Sequence, residues 1–375
     1  MAEITEILAA SVQYRASDIL LVPNQPPVIR VDGRLAQLPQ MAAASPEECK
    51  RWIYTMMDAA MRQEFEKARE ADFAYALPGV GRFRVNVFTQ TLGVASALRF
   101  IPPGIPTAEQ LDLSPAIMNL GRIPRGLVLV TGPTGSGKTS TLAALIDSIN
   151  TTQNKHILTI EDPIEFLYTN KGSIINQREV GTHTDSFSKA LKYALRQNPD
   201  IILVGEMRDL ETMSLAMAAA ETGHLCFSTL HTQDAATTIN RIIDEFPSEQ
   251  HTKVRSQLCG VLTGVVSQVL LPRKGGGRVC ARELMLMSPA VATLIRENKI
   301  NQIYGALESG AAMGMSSLDQ SIAQLYIRGL VDLDQALIKA RDPASVRRMI
   351  SMTSPGGVAA APKPGAPPVG APRAP

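Results

Sequence analysis

Cysteine is scarce and poorly placed for cross-linking: Cys49, Cys226, Cys259 and Cys280 are the four in 375 residues, and no two form a CxxC pair. That spacing argues against a zinc site or a disulfide framework and predicts reduced thiols in a cytosolic protein. An excess of one charge is also missing, since 37 Lys plus Arg stand against 35 Asp plus Glu for a net +2. The strong basic field that drives general nucleic-acid binding is therefore absent, as is an aromatic-basic stripe. No run reaches the roughly 18 apolar residues that span a bilayer. The first twenty residues, MAEITEILAASVQYRASDIL, carry acids where a signal peptide needs a basic stretch and then an apolar one. These absences predict a soluble, cytoplasmic chain with no transmembrane segment and no direct nucleic-acid partner, which reaches a membrane only through other proteins.

What is present is enough to build a core, with 45% hydrophobic residues and a length that suits about two domains. Residues 1–100 read as an α+β module: PPVIRVDGRLAQL is a hairpin around Asp32-Gly33, and GRFRVNVF alternates with period two. IPPGIPTAEQ, with three prolines and a glycine, cannot lie inside a regular element and marks a linker over 101–114. From Pro115 to Leu271, apolar runs such as GLVLV, HILTI, DIILV and LCFSTL alternate with helical patterns. Such α/β alternation predicts a parallel sheet covered by helices. Beyond PRKGGGR the pattern reads as helical to about residue 350, and the Pro, Gly and Ala of 351–375 predict a disordered tail.

GPTGSGKT fits G-x-x-x-x-G-K-[ST] between an apolar strand and an Ala/Leu-rich helix, which is the context the motif requires. In it, Gly132, Pro133, Thr134, Gly135, Ser136 and Gly137 would wrap backbone N–H groups around phosphates, with Ser140 following. Lys138 supplies a point charge to the β and γ oxygens, and the Thr139 hydroxyl is a ligand for Mg2+. ATP or GTP binding follows.

Hydrolysis needs a carboxylate near the γ-phosphate, and open α/β sheets gather such groups at the C-terminal ends of strands. HILTI runs into EDPIE, offering Glu161, Asp162 or Glu165, and DIILV runs into GEMRD, offering Glu206. Gly205 stands where an Asp commonly precedes that Glu. His224 and His231 flank LCFSTL and are roughly 23 Å apart in extended chain, too far to share a metal. His231 is at the nucleotide end, suited to a hydrogen bond with the γ-phosphate; His224 is at the other end, where a structural role and a catalytic one both remain open. In GRFRVNVF, Arg82 and Arg84 share one face, either a solvated surface or a pair of arginine fingers for a neighbouring subunit.

Residues 1–345 resemble the PilT-like type IV pilus retraction ATPases of the secretion ATPase superfamily. The likeness is carried by ASDILLVPNQPPVIRVDG, PGVGRFRVNVF, PRGLVLVTGPTGSGKT, HILTIEDPIEF, NQREV, NPDIILVGEMRDLET, AAETGHLCFSTLHT, RIIDEFP and GMSSLDQS. It implies an N-terminal PAS-like domain joined to a RecA-like ATPase domain, ATP and Mg2+, and a homohexamer. It also implies an inner-membrane pilus platform protein and related pilus ATPases as partners. By position, it makes Glu165 the water-polarising acid of the Asp box and Glu206 the catalytic carboxylate of an atypical Walker B segment. It places His224 and His231 in the His box and makes Arg82 and Arg84 trans-acting arginines. The helix AVATLIRE lacks the Arg and Asn of the family's AIRNLIRE, and Ser228 stands where retraction enzymes carry Gly. An accessory or pilus-assembly ATPase, and a nucleic-acid-dependent translocase, are the competing readings.

Overall fold

A computed structural model describes residues 3–31 and 33–353. Six strands form an antiparallel sheet: β1 (Asp18–Leu21), β2 (Val28–Val31), β3 (Arg34–Gln37), β4 (Glu70–Leu77), β5 (Gly81–Gln90) and β6 (Gly93–Ile101). Their order is β3-β2-β1-β6-β5-β4. The expected hairpin is the β2–β3 pair, in register from Val28 opposite Gln37 to Val31 opposite Arg34, although Asp32 lies outside the described residues. The period-two reading of β5 holds: Phe83, Val85 and Val87 are fully buried, and Arg82 and Arg84 take the other face. Phe83 packs on Phe100 of β6 with ring centroids 5.4 Å apart, within the range of favourable aromatic pairs. The helices Ile4–Gln13 and Pro46–Thr55 contribute Ile7, Leu8, Trp52 and Ile53 to the same core. A capping box of Ser45 and Glu48 starts the second of them.

The chain then crosses 102–114 without a regular element, as its prolines require. Seven strands follow: β7 (Gly126–Thr131), β8 (His156–Glu161), β9 (Ile174–Glu179), β10 (Ile201–Val204), β11 (Leu225–Leu230), β12 (Leu262–Pro272) and β13 (Arg278–Leu286). Their order is β13-β12-β7-β11-β10-β8-β9, parallel except for the β12–β13 hairpin. Alternate residues feed two cores. Val128 and Val130 meet Leu142, Ile146 and Ile149 of the helix Lys138–Thr152. Leu127 and Leu129 face a cluster that includes Met213, Met217, Ile239 and Leu258. A sheet covered on both faces explains why these strands are apolar throughout rather than alternating. Among the described residues, no helix is long and apolar enough to cross a membrane.

One expectation needs correction, one strand is unexpected and one boundary shifts. RVCARELML is not helical but forms β13, because KGGG turns the chain back and Gly275, Gly276 and Gly277 take up positive φ. The strand β9, unmarked by an apolar run, extends the sheet beyond β8. The last helix, Pro343–Thr353, continues to residue 353 where the tail was expected from 351, and it is held by Val346 and Ile350, which bury against Leu271, Ile322 and Val331. Residues 354–375 lie outside the described residues.

Glu283 of β13 is buried and joins three elements. Its Oε1 accepts the N–H of Ala235 at 2.8 Å and its Oε2 that of Leu318 at 3.4 Å, at the starts of two helices. Burial pushes its pKa up from 4.5 to about 7, opposed by those N–H groups and Arg341 and reinforced by Asp234. A raised folded-state pKa means that the native state binds the proton more tightly than the unfolded chain. The resulting stabilisation is complete below the unfolded pKa of 4.5 and is lost as pH rises through about 7. Unfolding free energy should therefore fall by roughly 3 kcal/mol on this account between those limits. Denaturant titrations across that range should give a shallower pH slope for Glu283→Gln, and an unchanged slope would remove Glu283 as its source.

Candidate active site

Strand order assembles the site. β11 lies between β7 and β10, so the segments leaving the C-terminal ends of these three strands are neighbours: the phosphate loop, His231 and Glu206. They border a cleft of about 1040 Å3 that also takes Glu161, Glu165 and the first turn of the helix Lys138–Thr152. Arg84 and Arg99 of the first sheet line it as well.

His231 links two of the parts. Its Nε2 is 3.1 Å from Glu206 Oε1 and its Nδ1 is 3.4 Å from Thr134 Oγ1, so phosphate loop, imidazole and carboxylate form one polar chain. Arg208 Nε holds the other oxygen of Glu206 at 3.0 Å. Lys138 Nζ donates to the carbonyls of Gly132 (2.8 Å) and Pro133 (3.3 Å). Burial lowers the Lys138 pKa, while the nearby charges of Glu206 and Glu165 act to raise it. The ammonium and the two carboxylates line the same cleft, as recognition of a terminal phosphate requires. Ser136 Oγ is buried without a protein partner inside the loop, and such an orphan suits a phosphate oxygen.

The loop keeps its shape because of glycine and of a residue from another strand. At Gly132, with φ +142°, a Cβ would lie 2.3 Å from the Gln268 carbonyl and 2.6 Å from Ser136 Oγ. Gln268, on β12 beside β7, donates from Nε2 to Ser136 O at 2.8 Å and accepts from Thr141 Oγ1 at 3.0 Å. Gly205 has a similar cause. Its N–H donates to Ile160 O at 2.7 Å, and a Cβ would sit 3.2 Å from that oxygen and 3.4 Å from Glu161 Cα. The end of β8 leaves a side chain there only a tight fit, one that needs the neighbouring backbone to give by a few tenths of an ångström. Beside it Glu161 is buried, accepts from Thr159 Oγ1 at 2.7 Å, and has its pKa raised to about 7 by burial.

Not every expected residue is drawn in. His224 is at the opposite end of β11, outside the cleft lining, with Nδ1 2.9 Å from Ala219 O and 3.2 Å from Thr222 Oγ1 at the end of the helix Leu210–Glu221. Within the chain its place is that of a helix-terminus residue. Arg82 and Arg84 share a face but not a partner: Arg84 reaches the cleft, whereas Arg82 pairs with Glu179 at 3.5 Å. Arg99, directly opposite Arg84 across β5 and β6, takes the second place beside it.

For Mg2+, the residues fit. The Thr139 hydroxyl is in the first turn of the phosphate-loop helix, and Glu161, Glu165 and Glu206 line the same cleft with oxygen donors. Among the described residues no group of three or more His, Cys, Asp or Glu forms a ready-made cage.

The family described as Type II/IV secretion system protein matches residues 2–276. The chain belongs to that family. Within it, the chain is 49% identical over 341 residues to the type IV pilus retraction ATPase PilT of Pseudomonas aeruginosa, spanning 91% of this chain and 99% of the relative. It is also 49% identical to a twitching motility protein of Neisseria gonorrhoeae, over 85% of this chain and 86% of that one. Among solved structures, the pilus retraction motor PilT with bound ADP superposes with a TM-score of 0.85 at 46% identity, over 93% of this chain and all of the other. The mixed α/β architecture of this secretion-family chain is thus that of a solved retraction motor.

Residues that sequence reasoning missed are Gln268, Arg99 and Arg208. Gln268 carried one visible signal, an amide that stands with Ser267 in the run VVSQVLL, whose other five residues are apolar. Gln268→Leu should leave Ser136 O and Thr141 Oγ1 without their partner. We expect KM for ATP to rise about tenfold, the scale of one or two lost buried hydrogen bonds. Steady-state kinetics check this, and a KM within twofold of wild type would refute the buttress.

Proposed function

We propose that this chain is a hexameric ATP-hydrolysing motor that powers type IV pilus retraction and hence twitching motility. The observation that carries the reading is the polar chain Thr134–His231–Glu206, which joins the phosphate loop to a strand-end carboxylate in the cleft that Lys138 also lines. It is supported by near-full-length similarity to proteins described as a retraction ATPase and a twitching motility protein.

In this reading the backbone N–H groups of 132–137 and the Lys138 ammonium bind the phosphates. Glu206 orients the attacking water and takes its proton, with Glu165 polarising the same water from the neighbouring strand. His231, hydrogen-bonded to both loop and carboxylate, senses whether the γ-phosphate is present. When bound at Thr139, Mg2+ supplies charge neutralisation to the β and γ oxygens. Most of the rate acceleration comes from positioning and electrostatics.

The division into a PAS-like domain (1–100), a linker (101–114) and a RecA-like domain with C-terminal helices (115–350) is part of the proposal. Two sheets with separate cores support it. In this reading Arg82 and Arg84 are the trans-acting arginines of the homohexamer, and His224 belongs with His231 to the family's His box. The motor works in the cytoplasm on an inner-membrane platform protein, alongside related pilus ATPases. The purified chain should hydrolyse ATP with Mg2+, lose at least about a hundredfold in rate on chelation, and gain nothing from added DNA. Stimulation by single-stranded DNA would favour a translocase instead.

A further inference from the structure

The segment NQREV ends β9, at the edge of the second sheet, and two of its side chains hold the loop that carries Glu165. Gln177 Oε1 accepts from Tyr168 N at 2.9 Å, and its Nε2 donates to Phe166 O at 2.8 Å and to Glu161 Oε1 at 3.3 Å. Glu179 is 9% exposed, and its Oε2 accepts the N–H of Ile164 at 2.9 Å. Glu165 is therefore bracketed in sequence by Ile164 and Phe166, both fixed to β9. The two strands are in register with Glu161 opposite Glu179, so the loop leaves β8 beside the residues that hold it.

Glu179 has a second contact. The same Oε2 is 3.5 Å from an Nη of Arg82, which comes from β5 in the other sheet. Arg82 has 19% of its side chain exposed, and its Nε is buried without a partner. The remaining Glu179 oxygen accepts from Thr182 Oγ1 at 3.1 Å. A half-buried guanidinium and a buried carboxylate are not the exposed pairs that contribute little. Removing one partner leaves the other buried and uncompensated.

We propose that Glu179 is a positioning residue for hydrolysis: it sets the place of Glu165 through Ile164 and ties that place to Arg82 of the first sheet. A shift of the first sheet against the second would then be felt at Glu165 without any direct contact with nucleotide. The proposal rests on the reading of Glu165 as a water-polarising acid.

The test is steady-state ATPase of the full-length protein with Mg2+, separating kcat from KM. Glu179→Ala should lower kcat about tenfold and leave KM for ATP within about twofold, because the phosphate loop is untouched. In a Glu165→Gln background the same substitution should cost less than about twofold, since Glu179 acts through Glu165. A further tenfold loss in that background, or a rise in KM equal to the fall in kcat, overturns the proposal. Should Glu179→Ala fail to fold, Glu179→Gln keeps a carbonyl for Ile164 N–H and removes the charge facing Arg82. Its loss in kcat should vanish when Arg82→Gln is already present, and an undiminished loss there overturns the link between sheets. A wild-type protein without ATPase activity would instead refute the functional reading. An active wild type with an unaffected Glu179→Ala refutes the positioning role alone.

Discussion

Glu206→Gln should lower the single-turnover rate of ATP hydrolysis about a thousandfold while leaving ATP affinity within about threefold of wild type. A positioned general base contributes about 10²–10⁴ in rate, and an amide cannot take the proton of water. Affinity survives because Gln keeps an oxygen for His231 and the phosphate loop is made of other residues. Arg208 loses its carboxylate partner, but its side chain is more than half exposed and the loss costs little. Binding of a fluorescent ATP analogue and quenched-flow hydrolysis, run on one preparation, separate the two effects. Hydrolysis within tenfold of wild type would remove Glu206 from the chemistry and direct attention to Glu161 and Glu165.

Gly132→Ala should be the most damaging single methyl in the phosphate loop. The new Cβ would meet the Gln268 carbonyl at 2.3 Å in a backbone conformation, φ +142°, that L residues rarely adopt. The opposing carbonyl cannot retreat easily, because β12 is paired to β7 on one side and β13 on the other. Overpacking and backbone strain together amount to about 3 kcal/mol or more. Since the loop must distort to relieve them, ATP binding should be lost as well. Gly135→Ala is the control: its φ is +79°, but nothing lies within 4 Å of the added methyl. Urea unfolding of both variants decides the matter, and equal stability would show that the contact with Gln268 does not constrain the loop.

How much of this could be read in the chain varied with the distance over which residues act. The phosphate loop was legible because its glycines, Lys138 and Thr139 are local and their strand and helix flank them directly. Glu206 and His231 were legible as strand-end residues, though not as a bonded pair. Their meeting depends on β11 lying between β7 and β10, and strand order is a property of the assembled sheet. The alternation in β5 put Arg82 and Arg84 on one face correctly, yet could not show that two positions along a strand are far enough apart to find different partners. Arg99 was invisible for the same reason: it reaches Arg84 only through the β5–β6 register.

Polar strands were the other blind spot. IINQRE carries few apolar residues because β9 is an edge strand whose side chains serve a loop rather than a core. RVCARELML mixes charge and apolar residues because β13 is also an edge, with Arg282 and Glu283 turned to specific partners. Gly205 shows the limit from the other direction. In sequence it was the place of a missing acid; in the fold it is where β10 passes close to the end of β8, with Glu161 already there.

The most direct test of a retraction motor is pilus length together with twitching motility in a null strain of the source organism, complemented with wild-type protein or with Lys138→Ala. The account predicts that wild type restores movement, whereas Lys138→Ala leaves long pili on cells that do not move. Bald cells would contradict it in favour of pilus assembly, and normal twitching with Lys138→Ala would show that ATP turnover by this chain does not drive retraction.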